Sequence, residues 1–277
     1  MTKSDSNPEQ LIQKIINFLD KERELYGDFH IPGNSIPKED PNFQEKDEAQ
    51  VSELNSDPEK QDLRPSTFDP KSEWFKSIEN QQLYYQIDQC KTLDELEVLC
   101  GRADILRTDL ADTKLVFGTG NPNADLILIG EAPGAEEDRR GEPFVGKAGQ
   151  LLNKILKAVD FEREDVYISN ILKHRPPNNR NPKEIERKRS LPFLLRQIDL
   201  INPKFILSLG KISAQTLLNK SSSLSNMRGS FHPFRKKYQL LATYHPAALL
   251  RHSQWKRPTW EDVQMLRKQY DEAGGQP

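Results

Sequence analysis

Cysteine is nearly absent from this 277-residue chain. Cys90 and Cys100 are the two present, and they form no C-x-x-C pair. That spacing excludes a disulfide framework and a paired-cysteine metal or redox motif. Long apolar runs are missing as well: no stretch approaches the roughly 18–20 residues that span a bilayer. The opening residues, "MTKSDSNPEQ", lack the apolar core of a secretory signal. The expectation is a soluble, cytoplasmic protein with no membrane partner.

A phosphate-binding loop is present in outline but lacks its last element. In "GEPFVGKAGQLLNKIL" (141–156), Gly141 and Gly146-Lys147 have the spacing of G-x-x-x-x-G-K-[ST], yet Ala148 stands where a hydroxyl must hold Mg²⁺. The stretch is also misplaced. Such a loop follows its strand directly, whereas "EAPGAEEDRR" separates Gly141 from the apolar run that ends at Gly130. A nucleotide site is therefore not expected.

Charge is plentiful but uneven. Residues 1–85 carry 10 basic and 18 acidic residues, a net of −8, and residues 86–277 carry 30 basic and 24 acidic, a net of +6. An acidic arm on a basic body suggests a polyanionic partner for the body. In the arm, "EQLIQKIINFLDKEREL" (9–25) spaces Leu11, Ile12, Ile15, Ile16 and Leu19 for one amphipathic helix within residues 1–27, a candidate contact for another protein. Residues 28–72 are acidic, polar and interrupted by proline, so they read as a disordered linker that buries too little apolar surface to offset its chain entropy.

From residue 86 to about 274 the pattern is that of a folded domain. Thr92 and Glu95 have capping-box spacing, so a helix starts there. "ADLILIG" (124–130), "VYISNI" (166–171), "KFILSLG" (204–210) and "YQLLATY" (238–244) read as buried strands. Residues 148–159, 192–201 and 211–219 read as helices between them. This alternation predicts an α/β fold with three layers, α/β/α, around a mainly parallel sheet. Sites in such sheets gather at the carboxyl ends of the strands. There the sequence puts "GEAPG", Asn170, Gly210 and His245.

The stretch "GEAPGAEEDRRGEPFVGKAGQLL" (130–152) resembles the first motif of family-4 uracil-DNA glycosylases. The resemblance continues in order through "VYISNILKHRPPNNRNP", "PKFILSLGKISAQTLL" and "LATYHPAALLR", covering about residues 100–265. It implies hydrolysis of the N-glycosidic bond of deoxyuridine in DNA, on a nucleotide flipped out of the stack. By that likeness Phe144 stacks on the base beside Gly130, and Asn170 reads uracil, its amide able to donate to O4 and accept from N3–H. His245 is the donor to uracil O2, where a preorganised group can contribute about 3–4 kcal/mol. Glu131 and Glu137 are the candidate carboxylates for orienting water or stabilising the sugar cation, and the sequence leaves open which matters more. Gly146, Lys147 and Gly149 are candidates for the DNA backbone, Leu249 for the wedge that fills the vacated stack, and Arg251 for a phosphate.

The chain departs from this family where a [4Fe–4S] cluster is usually held by four cysteines. His174 and Ser190 occupy two of those positions, and before Val116 Cys100 stands without a second cysteine three residues away. The expectation is a monomer that acts on uracil-containing DNA with no metal and no cofactor, with packing or the "NNRNP" loop (178–182) in the cluster's place. A related protein traps DNA covalently through a histidine in "KRRIH"; here "ERKRS" (186–190) contains no histidine. The alternatives are a covalently trapping or a non-catalytic DNA-binding protein on the same fold, and the set Glu131, Phe144, Asn170 and His245 argues for the enzyme.

Overall fold

The computed structural model describes residues 78–275. The helix expected within 1–27 and the linker at 28–72 lie outside the described residues.

Four strands form the parallel centre of one mixed sheet: β2 (Leu126–Gly130), β3 (Tyr167–Asn170), β4 (Phe205–Leu209) and β6 (Tyr238–Thr243). Two short edge strands, β1 (Thr119–Gly120) and β5 (Phe231–Phe234), pair antiparallel, giving the order β1-β3-β2-β4-β6-β5. The expectation of a mainly parallel sheet holds for the four strands legible as apolar runs. The two edges escaped notice because they are short and half-polar, and β5 contains Pro233, which a ladder tolerates only at an edge.

Side-chain alternation explains the layers. Ile127 and Ile129 of β2 face one core, together with Leu191, Leu194 and Ile198 of a long helix, Glu184–Ile201 (here α5). Leu126 and Leu128 face the other, against Leu152 and Leu156 of α4 (Lys147–Ala158) and Val263, Leu266 and Tyr270 of α9 (Lys256–Glu272). Both faces of the sheet are thus covered, which is why its strands read as continuous apolar runs.

A third cluster extends the body on the α5 side. It joins α1 (Ile78–Gln89) and α2 (Leu93–Arg102) to Phe117 and Phe193 through Ile87, Leu96, Cys90 and Cys100. The capping box at the start of α2 forms in both directions: Glu95 N donates to Thr92 Oγ1 at 3.2 Å and Thr92 N to Glu95 Oε2 at 3.3 Å. The helix α5 begins well before the expected residue 192, because Lys183 N donates to Glu186 Oε2 at 2.7 Å and closes its first turn.

The remaining helices are α3 (Ala135–Arg140), α6 (Lys211–Leu218), α7 (Leu224–Met227) and α8 (Pro246–Leu249). A buried ion pair ties α7 to α9. Arg228 donates twice to Asp262, at 2.9 Å each, and Thr243 Oγ1 donates to the same carboxylate at 2.6 Å. Asp262 is fully buried, so its charge depends on these partners. Removing one partner of such a pair costs about 3–5 kcal/mol. Arg228→Ala should lower unfolding stability by about that amount, measured by urea denaturation of the full chain, whereas an exposed pair such as Lys188–Glu184 should change it by less than about 1 kcal/mol when broken.

Candidate active site

The carboxyl ends of β2, β3 and β6 deliver Gly130-Glu131, Asn170 and His245 to one edge of the sheet. The register sets Gly130 directly beside Asn170. A Cβ at Gly130 would sit 2.3 Å from Asn170 Oδ1 and 2.7 Å from the Phe144 ring, so a hydrogen at this position is what lets the three groups meet. Asn170 is 2% exposed, and its Oδ1 is buried with no hydrogen-bond partner. An orphaned amide acceptor costs free energy in an empty site and is available to a ligand N–H.

Phe144 belongs to the core beneath α4 and also faces the site, its ring centroid 5.3 Å from that of His245. Its φ of 53° is unusual for a bulky residue. The surrounding contacts over-determine it. Arg163 Nη2 donates to Pro143 O at 2.7 Å and Nη1 to Phe144 O at 3.3 Å, while Asn153 Oδ1 holds the same guanidinium. Gly149 allows this turn to press on α4, since a Cβ there would overlap Phe144 O at 1.8 Å.

The structure places Glu137, a candidate carboxylate, in the frame of this loop. Its Oε2 accepts from Gly134 N at 3.2 Å, and its Oε1 accepts from Val145 N at 3.0 Å and Gly146 N at 2.9 Å. Both oxygens are occupied in binding the two ends of the loop together. The amide of Gly146, a candidate for the DNA backbone, is thereby bonded to Glu137. Lys147 beside it is exposed, and Gly149 is buried, which suits packing rather than contact with DNA.

Glu131 remains the carboxylate at the mouth of the site. Burial holds its pKa above the usual carboxylate range, opposed by the positive charge of Arg187 from the first turn of α5. His245 caps α8 by accepting from Ala247 N at Nδ1, at 3.2 Å. With Nδ1 an acceptor, the proton of the neutral ring lies on Nε2. Burial first, then the charge of Arg251, pushes the His245 pKa down to about 4. The ring is therefore a neutral donor at physiological pH.

The loop after His245 turns its two leucines in different directions. Leu249 is 3% exposed and packs inward, whereas Leu250 is 51% exposed. The short helix α8 turns the pair so that the second leucine, not the first, faces outward beside exposed Arg251. Tyr244 and Trp255 brace this loop at its base, their rings stacked at 4.8 Å.

The cluster positions do not fit a [4Fe–4S] group. Cys100 lies in the apolar third core, its thiol pKa pushed up to about 12 by burial. His174 Nδ1 is paired with Thr113 Oγ1 at 3.0 Å, and Ser190 Oγ donates to Ile171 O at 2.6 Å. Among the described residues no three His, Cys, Asp or Glu gather as metal ligands.

Sequence reasoning missed Arg163, Arg187, Lys173 and Leu250. The three cations look like solvated charges in a linear reading, and nothing in "AALLR" says which leucine turns out.

These groups gather at the carboxyl edge of a mainly parallel sheet. The profile of the Uracil DNA glycosylase superfamily matches residues 117–264, and the chain belongs to that superfamily. It is similar to the type-4 uracil-DNA glycosylase of Archaeoglobus fulgidus, with 38% identity over 186 residues covering 64% of this chain and 92% of that protein. The type-4 enzymes of Sulfurisphaera tokodaii (41% over 164 residues, 56% of this chain and 74% of the relative) and Thermotoga maritima (40% over 155 residues, 55% and 81%) are similar too.

The depressed His245 pKa has a consequence for stability. Between about pH 6.5, where an unfolded histidine titrates, and about pH 4, the unfolded chain takes up a proton that folded His245 refuses. Stability from this residue is complete above that window and is lost as pH falls through it. Urea denaturation of His245→Leu across pH 4–7 should show a slope shallower by about one proton than that of the parent.

Proposed function

We propose that this protein hydrolyses the N-glycosidic bond of deoxyuridine in DNA, releasing uracil and leaving an abasic site for base excision repair. The observation that carries the reading is the unpartnered, buried amide oxygen of Asn170, beside Gly130 at the strand ends where the Phe144 ring meets the neutral ring of His245. Uracil offers N3–H to that oxygen and O4 to the amide nitrogen. Cytosine offers the reverse pattern and is refused.

Phe144 stacks on the flipped base. His245 Nε2–H donates to O2, where negative charge grows as the base departs, and the neutral ring already carries that proton without first taking one up. Glu131, facing the sugar, orients the attacking water or stabilises the oxocarbenium ion. Leu250 enters the gap left by flipping, and Arg251 and Lys147 hold flanking phosphates. The enzyme works as a monomer inside the cell, without a cofactor; a paired His174 and a thiol sunk in an apolar core support the absence of a cluster. The apolar residues of segment 9–25 are its contact with another protein.

Incubation with a uracil-containing oligonucleotide, followed by alkaline cleavage at abasic sites, should give strand scission. His245→Ala should lower the single-turnover rate about 100-fold or more. Asn170→Asp should lose roughly ten- to a hundredfold on uracil, from about 1–3 kcal/mol for a mismatched buried partner, with weak excision of cytosine at best. Parental activity in Asn170→Asp would remove Asn170 as the reader. Purified, anaerobically prepared protein should also be colourless, and near-stoichiometric iron with broad visible absorbance would overturn the cofactor-free reading.

A further inference from the structure

One buried charge has no part in the chemistry above. Lys173 is 0% exposed, and no carboxylate among the described residues forms an ion pair with it. Its ammonium is surrounded by oxygen dipoles instead. It donates to Ser169 Oγ and Gln197 Oε1 at 2.7 Å each, to Phe117 O at 3.1 Å and to Asn170 O at 3.3 Å, with the Phe117 ring 5.6 Å away. A cation in such a place is costly unless its neighbours are held in position to solvate it, so the charge and the geometry of its acceptors enforce one another.

Those acceptors are not arbitrary. Asn170 is the last residue of β3, and the chain beyond it is stitched to the end of β2: Ile171 N donates to Gly130 O at 3.0 Å and Leu172 N to Glu131 O at 3.1 Å. Val116 N donates to Lys173 O at 2.8 Å, fixing the far end of the turn. The Lys173 side chain then folds back to the Asn170 carbonyl, three residues earlier, and closes the turn on itself. Gln197 Nε2 adds bonds to Tyr167 Oη at 3.0 Å and Phe117 O at 3.2 Å. The knot is tight enough that a Cβ at Gly118 would lie 2.6 Å from Tyr167 Oη and 2.9 Å from Gln197 Nε2.

We propose that Lys173 is a positioning residue of the uracil pocket: by gathering Phe117, Ser169, Gln197 and the Asn170 carbonyl around one ammonium, it sets the turn that aims the Asn170 amide at the base. The proposal rests on the uracil-excision reading and names a residue of that site which does not touch substrate. Burial draws its pKa down to about 7.

Lys173→Met keeps the length of the side chain and removes the donors. The knot need not collapse, because Phe117 O keeps Gln197 Nε2 and Gln197 Oε1 keeps Ser169 Oγ. Two measurements on the full chain separate aim from bulk stability. One is the single-turnover excision rate. The other is the uracil increment: affinity for an oligonucleotide bearing cleavage-resistant 2′-fluorodeoxyuridine relative to one bearing an abasic-site analogue. We expect Lys173→Met to excise at least tenfold more slowly and to lose most of the uracil increment, with affinity for the abasic analogue within about twofold of the parent.

A folded Lys173→Met with parental rate and increment would overturn the proposal, as would an equal loss of affinity for both oligonucleotides. If that variant does not fold, Ser169→Ala carries the test, with the same split at about threefold; its absence overturns the proposal equally. Failure of the parental protein to excise uracil would overturn the proposed function instead, and the increment would still report on Lys173.

Discussion

The parallel register of β2 and β3 places Gly130 beside Asn170, and the missing side chain at 130 is the constraint on which the site depends. Space for a hydrogen alone lets the Phe144 ring and the Asn170 amide both close on Gly130. Every other functional group is arranged relative to that contact. Glu131 follows Gly130 by one residue, and His245 reaches the Phe144 ring from β6, two strands away from β2 in the sheet. A larger residue at 130 would displace the Asn170 amide and the Phe144 ring together.

Charge is used in this domain chiefly to hold irregular backbone, which explains why several conspicuous ionic residues are not chemical ones. Arg163 secures the carbonyls of Pro143 and Phe144, and Glu137 gathers the amides of Gly134, Val145 and Gly146. Lys173 collects oxygen dipoles at the end of β3, and Arg228 with Asp262 steadies the approach to His245. Loops that must present a flat ring or an unsatisfied amide cannot bury much apolar surface of their own. Fixed charges against backbone dipoles supply the rigidity that a core would supply elsewhere.

The region around His174 and Ser190 is held by hydrogen bonds, ion pairs and apolar packing. Arg180 forks onto Glu186, at 2.9 and 2.6 Å, and bonds Asp109, which Lys183 also reaches. Thr108 Oγ1 donates to Arg175 O at 2.6 Å, and Arg196 reaches Cys90 O. The "NNRNP" loop thus binds the segment at 104–113 through Arg180, while Cys90, Cys100, Phe117 and Phe193 pack beneath. Exposed pairs contribute little singly, so the apolar cluster and the buried end of the Arg180–Glu186 fork hold this face together.

Much of the fold was legible because its central strands are buried on both faces and its helices carry a repeating apolar stripe. Four apolar runs, their helical spacers and the capping box at Thr92 follow from local periodicity, and with them the gathering of Glu131, Asn170 and His245 at one edge. The edge strands, α1 and α9 were not legible, since their patterns are short or strongly polar. Nor were the partners of charge. Glu137 and Gly146 are nine residues apart in the chain, and no local pattern shows that they bond each other. The outward face of Leu250, the guanidinium beneath Phe144 and the solvation of Lys173 likewise arise from contacts between distant segments. By itself the sequence determined which residue types meet at the strand ends, because periodicity and topology are local or nearly so. Only the tertiary structure decided which of those polar groups stay unpaired for a ligand and which are consumed in holding the loops, because hydrogen-bond satisfaction depends on all neighbours at once.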